Sequence, residues 1–194
     1  MKKYLCLLIW ISFQTLVLAS CSNGTTESGM NTSDDPYLYK HNAFKLNGKT
    51  LRWPSTTINM TSEHASWRSA ANRWSMVNFR HGVPGGIHAV RDTISPNICG
   101  RAFLTWENST GHIISCKIVI NRMHEPAVCG NVRDTITHEV GHCIGFFGHE
   151  NDGSLMSESV TSSREISNRA QNMLDSLYSM PPKSSISQAT SVTD

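Results

Sequence analysis

The segment "THEVGHCIGFFGHENDGSLMS", residues 137–157, decides how the rest of the chain is read, because it gathers His138, Glu139, His142 and His149 within a dozen positions and places Met156 just behind them. On a helix, residues four apart share a face, so His138 and His142 can offer two imidazoles to one metal ion while Glu139 projects beside them, within reach of a water on that ion. With nine histidines and eight glutamates in 194 residues, a shuffled chain would show HExxH with a probability of roughly 0.02. The pair alone is therefore suggestive, and its neighbours carry the case further. Gly145 tolerates the positive φ that ends a helix and turns the chain back, which allows His149 to become a third ligand. Three protein ligands with one open position is the arrangement of a catalytic zinc, whereas a structural zinc takes four.

Outward from that segment, "VRDTITHEVGHCIGF" is expected as a helix. Before it come three strand-like runs, "IHAVRDTI", "RAFLTWE" and "HIISCKIVIN", the last two joined by "NSTG" as a hairpin. Earlier, "LRWPSTTINM" alternates as a first strand, with Pro54 marking an edge or bulge. "SEHASWRSAANRWSMVNFRHG" carries Trp67, Ala70, Ala71, Trp74 and Val77 at helical spacing, with Ser62 as cap and Gly82 as stop; its tryptophans form one stripe and read as core. "SSREISNRAQNMLDSLYSM" is a last helix, opened by the capping-box pair Ser162 and Glu165 and closed before Pro181-Pro182. This order predicts one α/β (α+β) domain over residues 43–180 with a mixed sheet, and there is no internal repeat.

HExxHxxG followed by a histidine and then a methionine resembles the metzincin clan of zinc endopeptidases, and the short domain is most similar to bacterial relatives of the matrix metalloproteinases. The resemblance spans about residues 45 to 180. It implies a mixed twisted sheet with an antiparallel edge strand, "GRAFLTW", an active-site helix and a C-terminal helix ending in "SLY". It also implies one catalytic zinc on His138, His142 and His149, Glu139 as the general base for a metal-activated water, and Met156 as the Met-turn beneath the metal. The substrate would be a protein or peptide lying extended along Ala102, Phe103 and Leu104. One departure stands out: the commonest spacing puts the third ligand where this chain has Gly148, so His149 comes one residue late, and Glu150 and Asp152 are the alternatives. Ser157 and Glu158 stand where many relatives carry Tyr-Pro, which leaves pocket preference open. The other reading of the same residues is a catalytically silent surface lipoprotein that uses the domain for binding.

The ends read as an address. Lys2 and Lys3 precede an apolar run from Tyr4 to Leu18, suited to a secretory signal over residues 1–20, and Leu18-Ala19-Ser20-Cys21 resembles the bacterial lipobox, which would make Cys21 the lipidated first residue. Residues 21–42 are then a flexible tether and 181–194 a disordered tail. The expectation is an exported monomer held to a bacterial membrane, the outer membrane or cell surface, through its N-terminal lipid. With Cys6 and Cys21 assigned, Cys99, Cys116, Cys129 and Cys143 remain for two disulfides, and three pairings are open. Cys143 could pack behind the helix or enter one of them. No close cysteine pair of the kind a cysteine zinc site needs is present. A net charge of +2 without a basic cluster excludes nucleic acid as a partner. His41, His64, His81, His88, His112 and His124 read as surface or hydrogen-bonded residues; His88 and Asp92 do not make a second zinc cluster. "ENDG" reads as a turn, which leaves calcium without an evident ligand set.

Overall fold

A computed structural model describes residues 14–19, as backbone only, together with 50–150, 152–158 and 165–179. Six strands form one mixed sheet: β1 (Gln14–Ala19), β2 (Thr57–Ser62), β3 (Asn78–His81), β4 (Ile87–Asp92), β5 (Gly100–Trp106) and β6 (Ile113–Asn121), in the order β1-β5-β6-β4-β2-β3. β3, β2, β4 and β6 run parallel to one another, and β5 pairs antiparallel with β6 through the hairpin expected at "NSTG". The helices are α1 (Ser66–Ala71), the single turn α2 (Pro126–Cys129), α3 (Val132–Cys143) and α4 (Asn168–Ser179).

Period-two burial explains the strand that flanks the site. Along β5, Gly100, Ala102, Leu104 and Trp106 are buried while Arg101, Phe103 and Thr105 are half-exposed, as a pleated strand with one face on a core requires. α3 lies on that buried face, packed against α1, β5 and β6. Trp67, Trp74, Ile118, Val140, Phe146 and Leu177 join one continuous core, so both tryptophans are core as expected, although Trp74 lies beyond the end of α1.

Local boundaries differ from expectation in three places. The strand expected at "LRWPSTTINM" is Thr57–Ser62, and Leu51–Pro54 lie outside it, with Arg52 in an isolated bridge to His112. The tryptophan helix is one and a half turns, Ser66–Ala71, entered from Ala65 without a side-chain cap; Ser62 instead donates to the His64 carbonyl. "NFRH", expected within that helix, is strand β3, because Thr57–Met60 offer a parallel backbone ladder to it. Tertiary pairing outweighs helical periodicity there. At the last helix Ser167 provides a cap, accepting from the Ala170 N–H at 2.9 Å; Ser162 lies outside the described residues.

β1 alters the picture of β5 as an edge. Gln14–Ala19 pair antiparallel with β5 in continuous register from Gln14↔Trp106 to Ala19↔Arg101. Thus in the full chain, part of the segment read as an export signal covers the outer side of β5. Cys21, the tether through 42 and the tail 181–194 lie outside the described residues. Among the described residues no helix is long and apolar enough to cross a membrane.

The cysteine pairing left open by the sequence is Cys99–Cys129 and Cys116–Cys143. The first ties the start of β5 to α2. The second ties β6 to the last residue of α3, which settles Cys143 as a disulfide partner.

Candidate metal centre

α3 starts on Asn131, whose side chain accepts from the Arg133 N–H at 2.9 Å, and Asp134 in the first turn complements the positive end of the helix. Asp134 is also held by Arg73 at 2.7 Å. At the other end the freed carbonyls have assigned donors. The Trp53 indole N–H donates to Cys143 O at 2.8 Å and the Tyr178 hydroxyl to Ile144 O at 3.0 Å, so the helix stops without leaving buried acceptors bare. Gly145 then takes φ 117°, the conformation its lack of a side chain permits.

These features bring His138, His142 and His149 together, with one ligand nitrogen from each lying within 4.8 Å of the others. Ring centroids are 4.7 Å apart for His138–His142 and 5.2 Å for each of them to His149. The tautomers follow from the hydrogen bonds. His138 Nδ1 lies 2.7 Å from Leu155 O, and His142 Nδ1 lies 2.6 Å from Phe146 O. A carbonyl only accepts, so each Nδ1 carries the proton and each Nε2 presents a lone pair. Yet the two Nε2 atoms stand 3.1 Å apart.

That approach is a hydrogen bond only if one ring is an imidazolium, and burial argues against it. Burial first, then the neighbouring His149, holds His138 down to about 4, against the opposing bond to Leu155 O. Burial and then His138 and His149 hold His142 well below its ordinary value, and burial lowers His149. Two converging lone pairs in a dry site, with buried His149 Nε2 lacking a hydrogen-bond partner, call for a shared cation. Tetrahedral zinc with Zn–N near 2.0–2.1 Å separates its ligand nitrogens by about 3.3 Å, close to the observed spacing. The donor set therefore fits a metal ion.

The supporting residues define the floor and the wall. Met156 is fully buried, and a Cβ placed on Gly141 would lie 2.7 Å from its Sδ. The thioether thus packs directly on the helix turn between His138 and His142. Glu139 is fully buried on α3, with its side chain against the start of β5. Glu150 and Asp152, the alternative third ligands, are not in the cluster. Glu150 turns to the hydroxyls of Ser167 at 2.9 Å and Ser154 at 3.2 Å, while Asp152 accepts from the Ser154 N–H at 2.9 Å.

Sequence reasoning passed over Glu150 as a brace. Its backbone N–H donates to Met156 O at 2.9 Å, and its carboxylate joins the loop to Ser167, the cap of α4. The only sequence signal is an acid directly after the third histidine. The remaining histidines take ordinary partners: His88 with Thr61, His81 with Asn72 and His124 with Thr135. His41 lies outside the described residues.

No protein-family model matches this chain, and no curated protein matches it.

Proposed function

We propose that the chain is a zinc-dependent endopeptidase of metzincin type, resembling the bacterial relatives of the matrix metalloproteinases. The observation that carries this reading is the pair of buried imidazole nitrogens, His138 Nε2 and His142 Nε2, facing each other at 3.1 Å with both Nδ1 protons committed to carbonyls. His149 completes a three-histidine set, and a buried carboxylate follows the first ligand in sequence. Three protein ligands that would leave zinc a fourth position, with an acid next to the first ligand in sequence, is the pattern of a hydrolytic site.

Zinc at such a site lowers the pKa of a coordinated water and polarises the substrate carbonyl. His138, His142 and His149 hold it as neutral ligands, a form favoured by their burial. Glu139 receives the proton of the attacking water and returns it to the leaving amine. Leu155 and Phe146 orient the first two rings through their carbonyls, the outer hydrogen bonds that fix a ligand's tautomer and direction. Met156 keeps the underside apolar.

A peptide substrate would extend along β5 beside Ala102, Phe103 and Leu104, pairing backbone to backbone. In the full chain that side carries Gln14–Ala19, so the substrate needs the edge to be vacated. Removal of a signal at Cys21 would detach that strand from the mature chain. Export and lipid anchoring through Cys21, at the outer membrane or cell surface, belong to the same reading, and two disulfides suit an oxidising compartment. The mature protein would act as a monomer on protein substrates.

The test is cleavage of an unfolded protein by the purified chain without residues 1–20, beside Glu139→Gln, with zinc quantified in both. The expected result is about one zinc in each and a fall of about 10²–10⁴ in turnover for the variant. Zinc in both with no cleavage by the parent would favour the silent binding lipoprotein. No zinc in either would refute the three-histidine site.

A further inference from the structure

We infer that Gly100 is a positioning residue for Glu139: its missing side chain is the space in which the carboxylate of the proposed base is held. The inference rests on the endopeptidase reading for its catalytic meaning, and on geometry for its physical content.

Glycine inside a strand is costly, since it brings extra backbone freedom to be lost and no side chain to pack. Gly100 nevertheless opens β5, paired with Ile120. Its backbone does not require glycine, because Gly100 is absent from the positive-φ glycines. Space does require it. A Cβ at Gly100 would lie 2.8 Å from Thr135 Cγ2, 2.9 Å from Glu139 Oε1 and 3.0 Å from Glu139 Cγ. Thr135 and Glu139 are one turn apart on α3, so the strand start is pressed against the helix face that presents the carboxylate.

That position is pinned from several sides. Cys99, the preceding residue, is bonded to Cys129, and its carbonyl accepts from the Asn121 N–H at 3.0 Å. The buried Asn121 amide donates to Ile98 O at 2.8 Å and Ser95 O at 3.0 Å, fixing the approach to Gly100. On the helix side, His124 Nε2 meets Thr135 Oγ1 at 3.0 Å. Neither wall can withdraw easily, so a methyl group at residue 100 must displace the carboxylate. Misplacement of a catalytic group by about 1 Å can cost on the order of a hundredfold in rate.

The test uses as parent the mature chain from Cys21, in which the β5 edge is vacated, together with Gly100→Ala, Glu139→Ala and the double variant. Without metal, in EDTA, melting temperatures form a cycle that does not depend on activity. Gly100→Ala is expected to lower the melting temperature by several degrees when Glu139 is present and by clearly less when alanine stands at 139. Equal losses in both backgrounds would overturn the inference.

With zinc restored, Gly100→Ala is expected to keep about one zinc and a KM within about twofold of the parent, while kcat falls at least about tenfold. A parental kcat would overturn it as well. Should Gly100→Ala fail to fold, the cycle is run on Thr135→Ser, which removes the competing methyl and keeps the hydroxyl for His124. Failure to fold even there with alanine at 139 would mean that the strand, and not the carboxylate, rejects the side chain. A parent that binds zinc and cuts nothing refutes the endopeptidase reading, and the melting cycle still judges the Gly100–Glu139 contact.

Discussion

His138 and His142 stand on a helix, and His149 stands on a loop. On α3 the two imidazoles are brought to one face by the geometry of the helix itself, four residues apart. The loop has no such rule. It reaches the metal position through a left-handed turn at Gly145, the Glu150 N–H bonded to Met156 O, and the Glu150 carboxylate bonded to Ser154 and Ser167. The two regions also exchange support, because His138 is oriented by Leu155 O, a loop carbonyl. Secondary structure supplies two ligands locally, and the third depends on contacts with distant parts of the chain.

Single ligand removals break this comparison most forcefully. Structural zinc sites of four ligands are worth about 10–16 kcal/mol, so one ligand carries roughly 2.5–4 kcal/mol, on the order of a hundred- to several hundredfold in affinity. His142→Ala and His149→Ala should both weaken zinc by that order, measured by competition with a chromophoric chelator. If His149→Ala retains parental affinity while a variant at Asp152 loses it, the loop supplies a different ligand and the contrast drawn above fails.

Next in size is the Cys116–Cys143 disulfide at the end of α3. Its two cysteines are 27 residues apart, which corresponds to about 3.5 kcal/mol of stabilisation at 25 °C in the chain-entropy account. Replacing both cysteines by alanine should lower the melting temperature by roughly 10 °C, read by calorimetry. Zinc affinity should change by less than about tenfold, since the His138–His142 spacing is set within the helix. A much larger loss of zinc would show that the helix end needs its covalent tie to hold the ligands.

The same contrast explains what could be read in advance. The HExxH spacing and the alternation in "GRAFLTW" are local periodicities, and both appear in the structure as expected, whereas Trp67 and Trp74 are both core although Trp74 lies past the end of α1. The disulfide pairing, the recruitment of "NFRH" into β3 and the position of Gly100 against Glu139 are set by strand order. No spacing along the chain encodes that order. His149 falls between these cases, because Gly145 announces a turn while the direction of that turn is fixed by tertiary contacts.

A pH effect of about 3 kcal/mol comes next. Burial, with His149 beside it, lowers His138 to about 4 in the folded chain, whereas the unfolded chain protonates it near its ordinary value of about 6.5. Between these values the unfolded state holds more protons, so stability rises with pH. The contribution is fully present above about pH 6.5 and is lost as pH falls toward 4, amounting to roughly 3 kcal/mol for this one group. Metal-free melting in EDTA should therefore fall steadily across that window. Saturating zinc should move the loss to lower pH, because the ligands must stay neutral, and His142→Ala should flatten the zinc effect. A flat metal-free curve would mean that the imidazoles are solvated, which would remove the electrostatic case for a shared cation.

The smallest effect tests the loop by itself. Glu150 is buried, and desolvation by burial, followed by the nearby Asp152, raises its carboxyl above the ordinary range. Arg169 Nε, at 3.9 Å, is too distant for a hydrogen bond, so the ties that matter are the two serine hydroxyls. Glu150→Ala strips both of their acceptor and frees the segment between His149 and Met156. Loss of such an outer partner typically costs 10–100-fold in metal affinity, and about tenfold is expected here, with His138 and His142 still placed by α3. Glu150→Gln, which keeps an acceptor at the same reach, should restore most of the affinity. Restoration would show that Glu150 works by shape and hydrogen bonding; failure of glutamine to restore would show that the loop is held by charge.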